Sequence, residues 1–262
     1  MNKWDVVALY DQDQRIQVTY PDNRREVTQH VVRHVPHRPD GDGTIIYSRL
    51  DKTNVEAIII EEIDYFQEAG HDFEWKVYSH DTPPDLKERL AGHGFDIEET
   101  EAILVLDIAQ APDFLSQPVT TDVRRITDPA QLGLVRTLEE TVWQSDHAWL
   151  EHYLGQALTH YPEQMSVYMA YVDDQPASAA WLYFPPSSQF ASLWGGSTLA
   201  AYRQRGLYSA LLAARLQEAQ QRGVKFLTVD ASPMSQPILE KFGFELIAQA
   251  YPCKWHHPSR KG

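Results

Sequence analysis

The clearest pattern in the chain is an apolar, glycine-containing run from Phe190 to Leu199, which reads as a strand. It feeds a short basic turn, and Gly206 then opens a helix to about Arg222, with Leu207, Leu211, Leu212, Ala214 and Leu216 on its apolar sides. Its charge gathers at Arg215, Glu218 and Arg222, and a helix apolar on most sides is expected to be largely buried. Gly223 ends it, Phe226 to Asp230 reads as the next strand, and Ser235-Gln236-Pro237 starts a short helix that stops at Phe242-Gly243-Phe244. Glu245 to Tyr251 and Lys254 to His257 close the chain as β-structure. Upstream, Val119 to Ile126 reads as a strand, and Asp128-Pro129 caps a helix with the stripe Leu132, Val135, Leu138 and Val142. A second helix spans about Ala148 to Thr159. Strands follow at Met165 to Val172 and Ala177 to Phe184, joined by the turn Asp173-Asp174-Gln175-Pro176.

The first half is also mixed. Alternation at Ile16, Val18 and Tyr20 predicts a strand over Arg15 to Tyr20, and Val27 to Val35 and Thr44 to Leu50 predict two more. Thr53-Asn54-Val55-Glu56 fits a capping box ahead of a helix with Val55, Ile58, Ile59, Ile63 and Phe66 on one stripe, stopped by Gly70. Strand Phe73 to Tyr78, a helix from Thr82-Pro83-Pro84-Asp85 to Gly92-His93-Gly94-Phe95, and strand Ala102 to Leu106 complete it. Asp107 to Thr120 lacks periodicity and reads as a linker or crossing segment. Both halves thus run helix, glycine, strand, proline-containing helix, Gly-Phe, as an internal repeat would. Helix–strand–helix–strand is also a common α/β series.

Composition narrows the partners. With 23 Lys and Arg against 37 Asp and Glu, the formal charge is −14, which disfavours nucleic acid. Cys253 is the one cysteine, so no intrachain disulfide forms and a reducing compartment fits. The start has no apolar leader and no run approaches a membrane span, so a cytoplasmic protein is expected, without membrane partners. The scattered histidines His30, His34, His37, His71, His80 and His93 form no compact ligand motif, and no metal is expected.

The chemistry-bearing stretch is Thr198 to Leu212. A helix N-terminus presents unpaired N–H groups and the positive end of the dipole, and Arg203 and Arg205 add guanidinium groups suited to phosphate. A plain strand–turn–helix with two solvated arginines is the competing reading.

Two motifs carry a family resemblance. Arg203-x-x-Gly206 matches the first part of an Arg/Gln-x-x-Gly-x-Gly/Ala pyrophosphate motif, and Pro237 to Phe244 resembles a late helix ending in Gly-Phe. Over about residues 119 to 257, with strand and helix order included, the chain resembles the GNAT superfamily of acyl-CoA-dependent N-acetyltransferases. The resemblance implies an α/β fold with a mixed sheet, in tandem: a degenerate GNAT-like domain at 1–118 and a complete one at 119–258. It implies acetyl-CoA as cosubstrate, with Gly196, Ser197 and Thr198 facing the pantetheine and carbonyl. Arg203, Gln204, Arg205, Gly206, Leu207 and Tyr208 would then hold the pyrophosphate, and Ser235 is counted among the cofactor-binding residues.

Tyr208 stands where the motif has a small residue, and Leu239 where the family often has a tyrosine acid, so Ser235, Tyr208, Tyr251 and solvent are all open as proton donors. Glu139 and Glu140, on the first helix of that half, are the candidate bases, with Asp146, His147 and His152 nearby. Trp143, Trp149, Trp181 and Trp194 are candidates to line an acceptor pocket or to fill the core. The first half has Tyr47 to Lys52 where Arg-x-x-Gly would stand and is not expected to bind CoA. An N-acetyltransferase acting on a primary amine is the leading function; a non-catalytic acyl-CoA sensor and an interaction scaffold compete with it. A homodimer is left open.

Overall fold

The computed structural model describes residues 2–260. Of these, residues up to Leu104, with Asp230–Lys241 and the chain from Glu245 onward, form one compact unit; Val105–Val229 and Phe242–Phe244 form another.

The first unit opens with helix α1 (Lys3–Tyr10), continued by a π-helical turn over Asp11–Ile16. The Asn2 side chain accepts from Asp5 N at 3.0 Å while Asp5 accepts from Asn2 N at 3.3 Å, a capping box. The strand expected over Arg15 to Tyr20 is therefore absent. Arg15, its first residue, is fully buried: it donates to both Asp81 oxygens and to Asp11 at 2.8 Å, and to Ile46 O at 2.9 Å. An interior ion network of this kind overrides a three-residue alternation.

β1 (Asn23–Val27) and β2 (Val31–Pro36) divide the expected stretch Val27 to Val35 into two antiparallel strands, and β3 (Gly43–Ser48) follows. Helix α2 (Val55–Ala69) buries Val55, Ile58, Ile59 and Phe66, and Gly70 stops it in the left-handed region. Its expected capping box is not formed. Asp51 instead accepts from Thr53 N at 2.7 Å and Asn54 N at 3.2 Å, a charged acceptor displacing a hydroxyl. β4 (Phe73–Tyr78), α3 (Leu86–Gly92), β5 (Asp96–Ile97) and β6 (Glu101–Asp107) follow. Phe66 and Phe73 stack at 4.2 Å in the core, beside Trp75.

Entering the second unit, the supposed linker is structured: a 3₁₀ turn at Ile108–Gln110 precedes α4 (Asp113–Ser116), whose Leu115 is fully buried. Then come β7 (Val123–Ile126), a turn capped by Asp128, α5 (Leu132–Trp143), α6 (Ala148–His160), β8 (Met165–Val172), β9 (Gln175–Tyr183), β10 (Phe190–Thr198), α7 (Leu207–Gln221) and β11 (Phe226–Ala231). The strands lie in the order β11-β10-β9-β8-β7, with β10 and β11 parallel and the rest antiparallel. Ala180 of β9 packs with Leu207 and Leu211, whereas its neighbour Ala179 stands opposite Ser197, which bonds to α5. Alternation therefore puts α7 and α5 on opposite faces of this sheet.

The chain then returns. α8 (Gln236–Lys241) and β12 (Glu245–Trp255) belong to the first unit, whose strand order is β1-β2-β3-β4-β12-β6. The expected 119–258 block differs from this division at its C-terminal end, because β12 pairs antiparallel with β4, Cys253 opposite Trp75. The two closing β-segments are one strand of 11 residues that keeps Pro252 in register with Lys76.

Candidate functional site

The second unit is built around a break in the β9–β10 ladder. Trp194 pairs with Trp181 and Gly195 with Ala180, then the register slips so that Ser197 pairs with Ala179. Gly195 and Gly196 occupy the slip with φ of +69° and +95°, values that side chains rarely tolerate. Space is lacking as well: a Cβ at Gly195 would come within 2.5 Å of the Trp181 ring, and one at Gly196 within 2.9 Å of the Tyr208 ring.

On the α5 face of this bulge, Glu139 is only 3 % exposed. Its Oε2 accepts from Ser197 Oγ at 2.8 Å and from the Trp143 indole Nε1–H at 2.9 Å. Its Oε1 is buried without a hydrogen-bond partner among the described residues. Burial pushes the carboxyl above the usual range, and the bonds from Ser197 and Trp143, with His147 nearby, offset part of that rise. Glu140, its sequence neighbour, is partly exposed and ion-paired: Arg136 Nε donates to it at 2.8 Å, and that bond holds its carboxyl low. The two candidate bases are thus separated by environment, one desolvated and half-satisfied, the other solvated and paired. His147 contacts Ser145 O through Nδ1 at 3.0 Å, and Asp146 accepts from Ala148 N at 2.8 Å.

Beyond the bulge, Ser178 Oγ donates to Ser197 O at 2.7 Å and lies 2.8 Å from Thr198 Oγ1, which fixes the strand end. A 3₁₀ turn at Ala200–Tyr202 leads to Arg203, Gln204, Arg205 and Gly206. Gly206 is the N-cap of α7 at φ +78°, and no side chain caps that end. The first-turn N–H groups at Leu207, Tyr208 and Ser209 have no intrahelical acceptor by helix geometry. Arg203 Nε donates to Thr198 O at 3.2 Å, and the Arg205 guanidinium sits 5.7 Å from the Tyr202 ring centre. Among the described residues neither arginine has a carboxylate within ion-pair distance. An uncapped helix end beside two arginines without carboxylate partners suits a phosphate.

Tyr208 points back over the bulge, its ring against Gly196 and 6.1 Å from Phe242; burial pushes its hydroxyl above the ordinary phenol range, and Arg215 opposes that rise. Ser235 belongs to the first unit, and its hydroxyl donates to Ser232 O at 3.2 Å. Tyr251 is also in that unit, its hydroxyl donating to Gln249 at 3.0 Å. The tryptophans divide. Trp181 is buried under Gly195, while Trp143, Trp149 and Trp194 are exposed. Sequence reasoning missed Arg215, read as part of a charged face; it is 2 % exposed. The crowding of alanine and leucine around it was the available signal.

The bulged strand, the glycine-opened uncapped helix and the mixed sheet define the class as a GCN5-related acetyltransferase fold. Residues 134–244 match the model of the Acetyltransferase (GNAT) family, and that stretch is a GNAT-family domain. Among solved structures, the chain is similar to a GCN5-related N-acetyltransferase from Kribbella flavida, with 14 % identity over 97 % of this chain and 96 % of that one and a TM-score of 0.70. A functionally unknown conserved protein from Staphylococcus epidermidis follows with 12 % identity over 92 % and 98 % and a TM-score of 0.66. A tandem GNAT protein from the clavulanic acid biosynthesis pathway has 13 % identity over 97 % and 93 % and a TM-score of 0.62. These likenesses give the fold. No curated protein matches the sequence.

Proposed function

We propose that the protein transfers an acetyl group from acetyl-CoA to a primary amine by direct attack, with Glu139 as the base. The observation that carries this reading is the buried Glu139 carboxylate set by α5 against the bulged strand, one oxygen held by Ser197 and Trp143 and the other unpartnered. A carboxylate raised by burial accepts a proton from an ammonium or attacking amine better than an exposed one does. Acetyl-CoA supplies the acetyl thioester. Arg203, Arg205 and the α7 N-terminus would hold its pyrophosphate, and the backbone of Gly196, displaced from the ladder, would face its carbonyl. The amine nitrogen forms a bond to the carbonyl carbon, its proton passes to Glu139, and the C–S bond breaks with the electron pair leaving on sulfur. Tyr208 or solvent returns a proton to that thiolate.

A second reading is acyl-CoA binding without turnover. It is favoured by Leu239, a fully buried core residue where many relatives of the resembled family carry a tyrosine acid. Thiol release from acetyl-CoA across a panel of amines separates the two, and a thermal shift with millimolar acetyl-CoA tests both. Release with at least one amine supports transfer; a shift without release supports binding alone; neither would sink the site.

A further inference from the structure

Arg215 lies two helical turns beyond Tyr208 on α7 and reaches back toward the N-terminal end of the helix, as long helical side chains do. Its Nε donates to Leu211 O at 3.1 Å, and its Nη1 donates to Trp181 O and to Trp194 O at 3.3 Å each. Those two residues face each other across β9 and β10 and form the pair before Gly195–Ala180, after which the ladder slips. Among the described residues the guanidinium has no carboxylate within ion-pair distance. Burying a charge without a counter-charge is costly. Here that cost is met only by backbone carbonyls, so the full positive charge stays under the bulge.

We infer that Arg215 is a positioning residue of the acyl-thioester end of the site, clamping the β9–β10 pair next to Gly195–Ala180 and lending an unneutralised charge to the bulge. The inference rests on the acetyl-transfer reading above. Upstream of the bulge Arg215 fixes Trp181 and Trp194; downstream Ser178 fixes Ser197 and Thr198. Gly195, paired with Ala180, and Gly196, out of the ladder, lie between these two clamps, with the Trp181 and Tyr208 rings filling the space a side chain would need there. The geometry places a cation behind the backbone proposed to meet the thioester carbonyl, where negative charge develops during attack. The titratable groups acting on Arg215 are Tyr208 on its own helix and Tyr168 on β8; β9 and β10 present it with carbonyls. Both phenols are held protonated by burial, so the field is set by the arginine. Desolvation pushes Arg215 down to about 10, and it stays charged through neutral pH.

The test compares wild type with Arg215→Lys and Arg215→Met in acetyl-CoA saturation kinetics from pH 6.5 to 9, with acetyl-CoA affinity measured by calorimetry and folding by circular dichroism. Arg215→Met is expected to bind acetyl-CoA within about threefold of wild type while kcat falls about tenfold or more, the signature of an interaction made in the transition state. Arg215→Lys is expected to recover most of kcat near pH 7 and to lose it as pH rises, because a buried lysine deprotonates far below its ordinary range. Wild type holds its activity over that interval. A kcat for Arg215→Met equal to wild type, or an Arg215→Lys profile parallel to wild type, overturns the inference. Should the methionine variant fail to fold, the lysine profile decides alone. Absence of turnover by wild type removes the acetyl-transfer reading and this one with it; wild-type turnover with indifferent variants removes only this one.

Discussion

Replacing Glu139 by glutamine and by alanine separates its chemical from its structural role. Glu139→Gln keeps the volume and an oxygen to accept from Ser197 Oγ and Trp143 Nε1–H, and it removes a carboxylate that burial disfavours. Its melting point is expected to stay close to wild type. Glu139→Ala leaves the buried Ser197 hydroxyl without that acceptor, whereas Trp143, 55 % exposed, can turn to water. One stranded buried donor plus a small cavity costs about 2–4 kcal/mol, so only the alanine variant should melt early. Activity should fall in both. Loss of a general base costs roughly 10²–10⁴ in kcat/KM, or about 3–5 kcal/mol of transition-state stabilisation. Free thiol is followed with a chromogenic disulfide at saturating acetyl-CoA, and the folded fraction is checked for each variant. Half or more of wild-type kcat/KM in Glu139→Gln would refute the assignment of the base.

Four further outcomes follow. Because burial raises the Glu139 carboxyl and the base works deprotonated, kcat/KM should climb with pH through a midpoint above the ordinary glutamate range, and a midpoint at or below that range counts against it. Gly206→Asp should abolish acetyl-CoA binding by calorimetry, since a carboxylate would stand at the uncapped α7 end; Gly206→Ala meets no neighbouring atom within 4 Å and should cost about 1 kcal/mol of stability from its φ of +78°. Lys76→Met strands the Glu101 and Asp230 carboxylates, which the lysine reaches at 2.6 and 2.5 Å, and should lower stability by about 3–5 kcal/mol in denaturant melts. Acetyl-CoA titration should give one site per chain; two would contradict the reading of the first half as silent.

What could be read without coordinates follows local punctuation. Gly206 and Gly223 bound α7 within a residue of the predicted span, because left-handed glycines at helix ends act through neighbours in the chain. β10 was equally legible. α1 was not: Trp4 is 73 % exposed, and only Val7 and Tyr10 are buried, too few to write a stripe. The Arg15 to Tyr20 alternation misled because the largest buried side chain there is a guanidinium, and its ion partners lie as far away as Asp81. β12 read correctly as β-structure, but its partner β4 is chosen by packing of Cys253 and Trp255 with Trp75 and Phe73, which no local pattern encodes. The site split likewise. The phosphate-suited turn is contiguous and visible; the Glu139–Ser197 bond joins residues far apart in sequence, and the inward reach of Arg215 depends on which helix face meets the bulge.

The contrast between two helix starts explains why one half is proposed to act and the other to support. α2 and α7 each follow a strand of mixed-sheet architecture, and each begins with N–H groups that no earlier turn can satisfy. At α2 an acidic turn stands just ahead of the helix, although no side chain caps its first N–H groups. Asp51 accepts from Thr53 N, Asn54 N and the Thr53 hydroxyl, and these bonds hold its carboxyl below the usual range. A resident carboxylate there repels a phosphate. At α7 the cap is a glycine without a side chain, and the flanking charges are Arg203 and Arg205. The same uncapped backbone feature thus has an aspartate ahead of it in the first half and two arginines in the second, a difference of local charge carried by a scaffold of the same general kind. Removing Asp51 would lift that negative charge without supplying the arginines or the bulged strand with a buried carboxylate against it. An anion site needs the open helix end, but acyl transfer needs the bulge beside it, and only the second unit combines β10, α5 and α7 in that way.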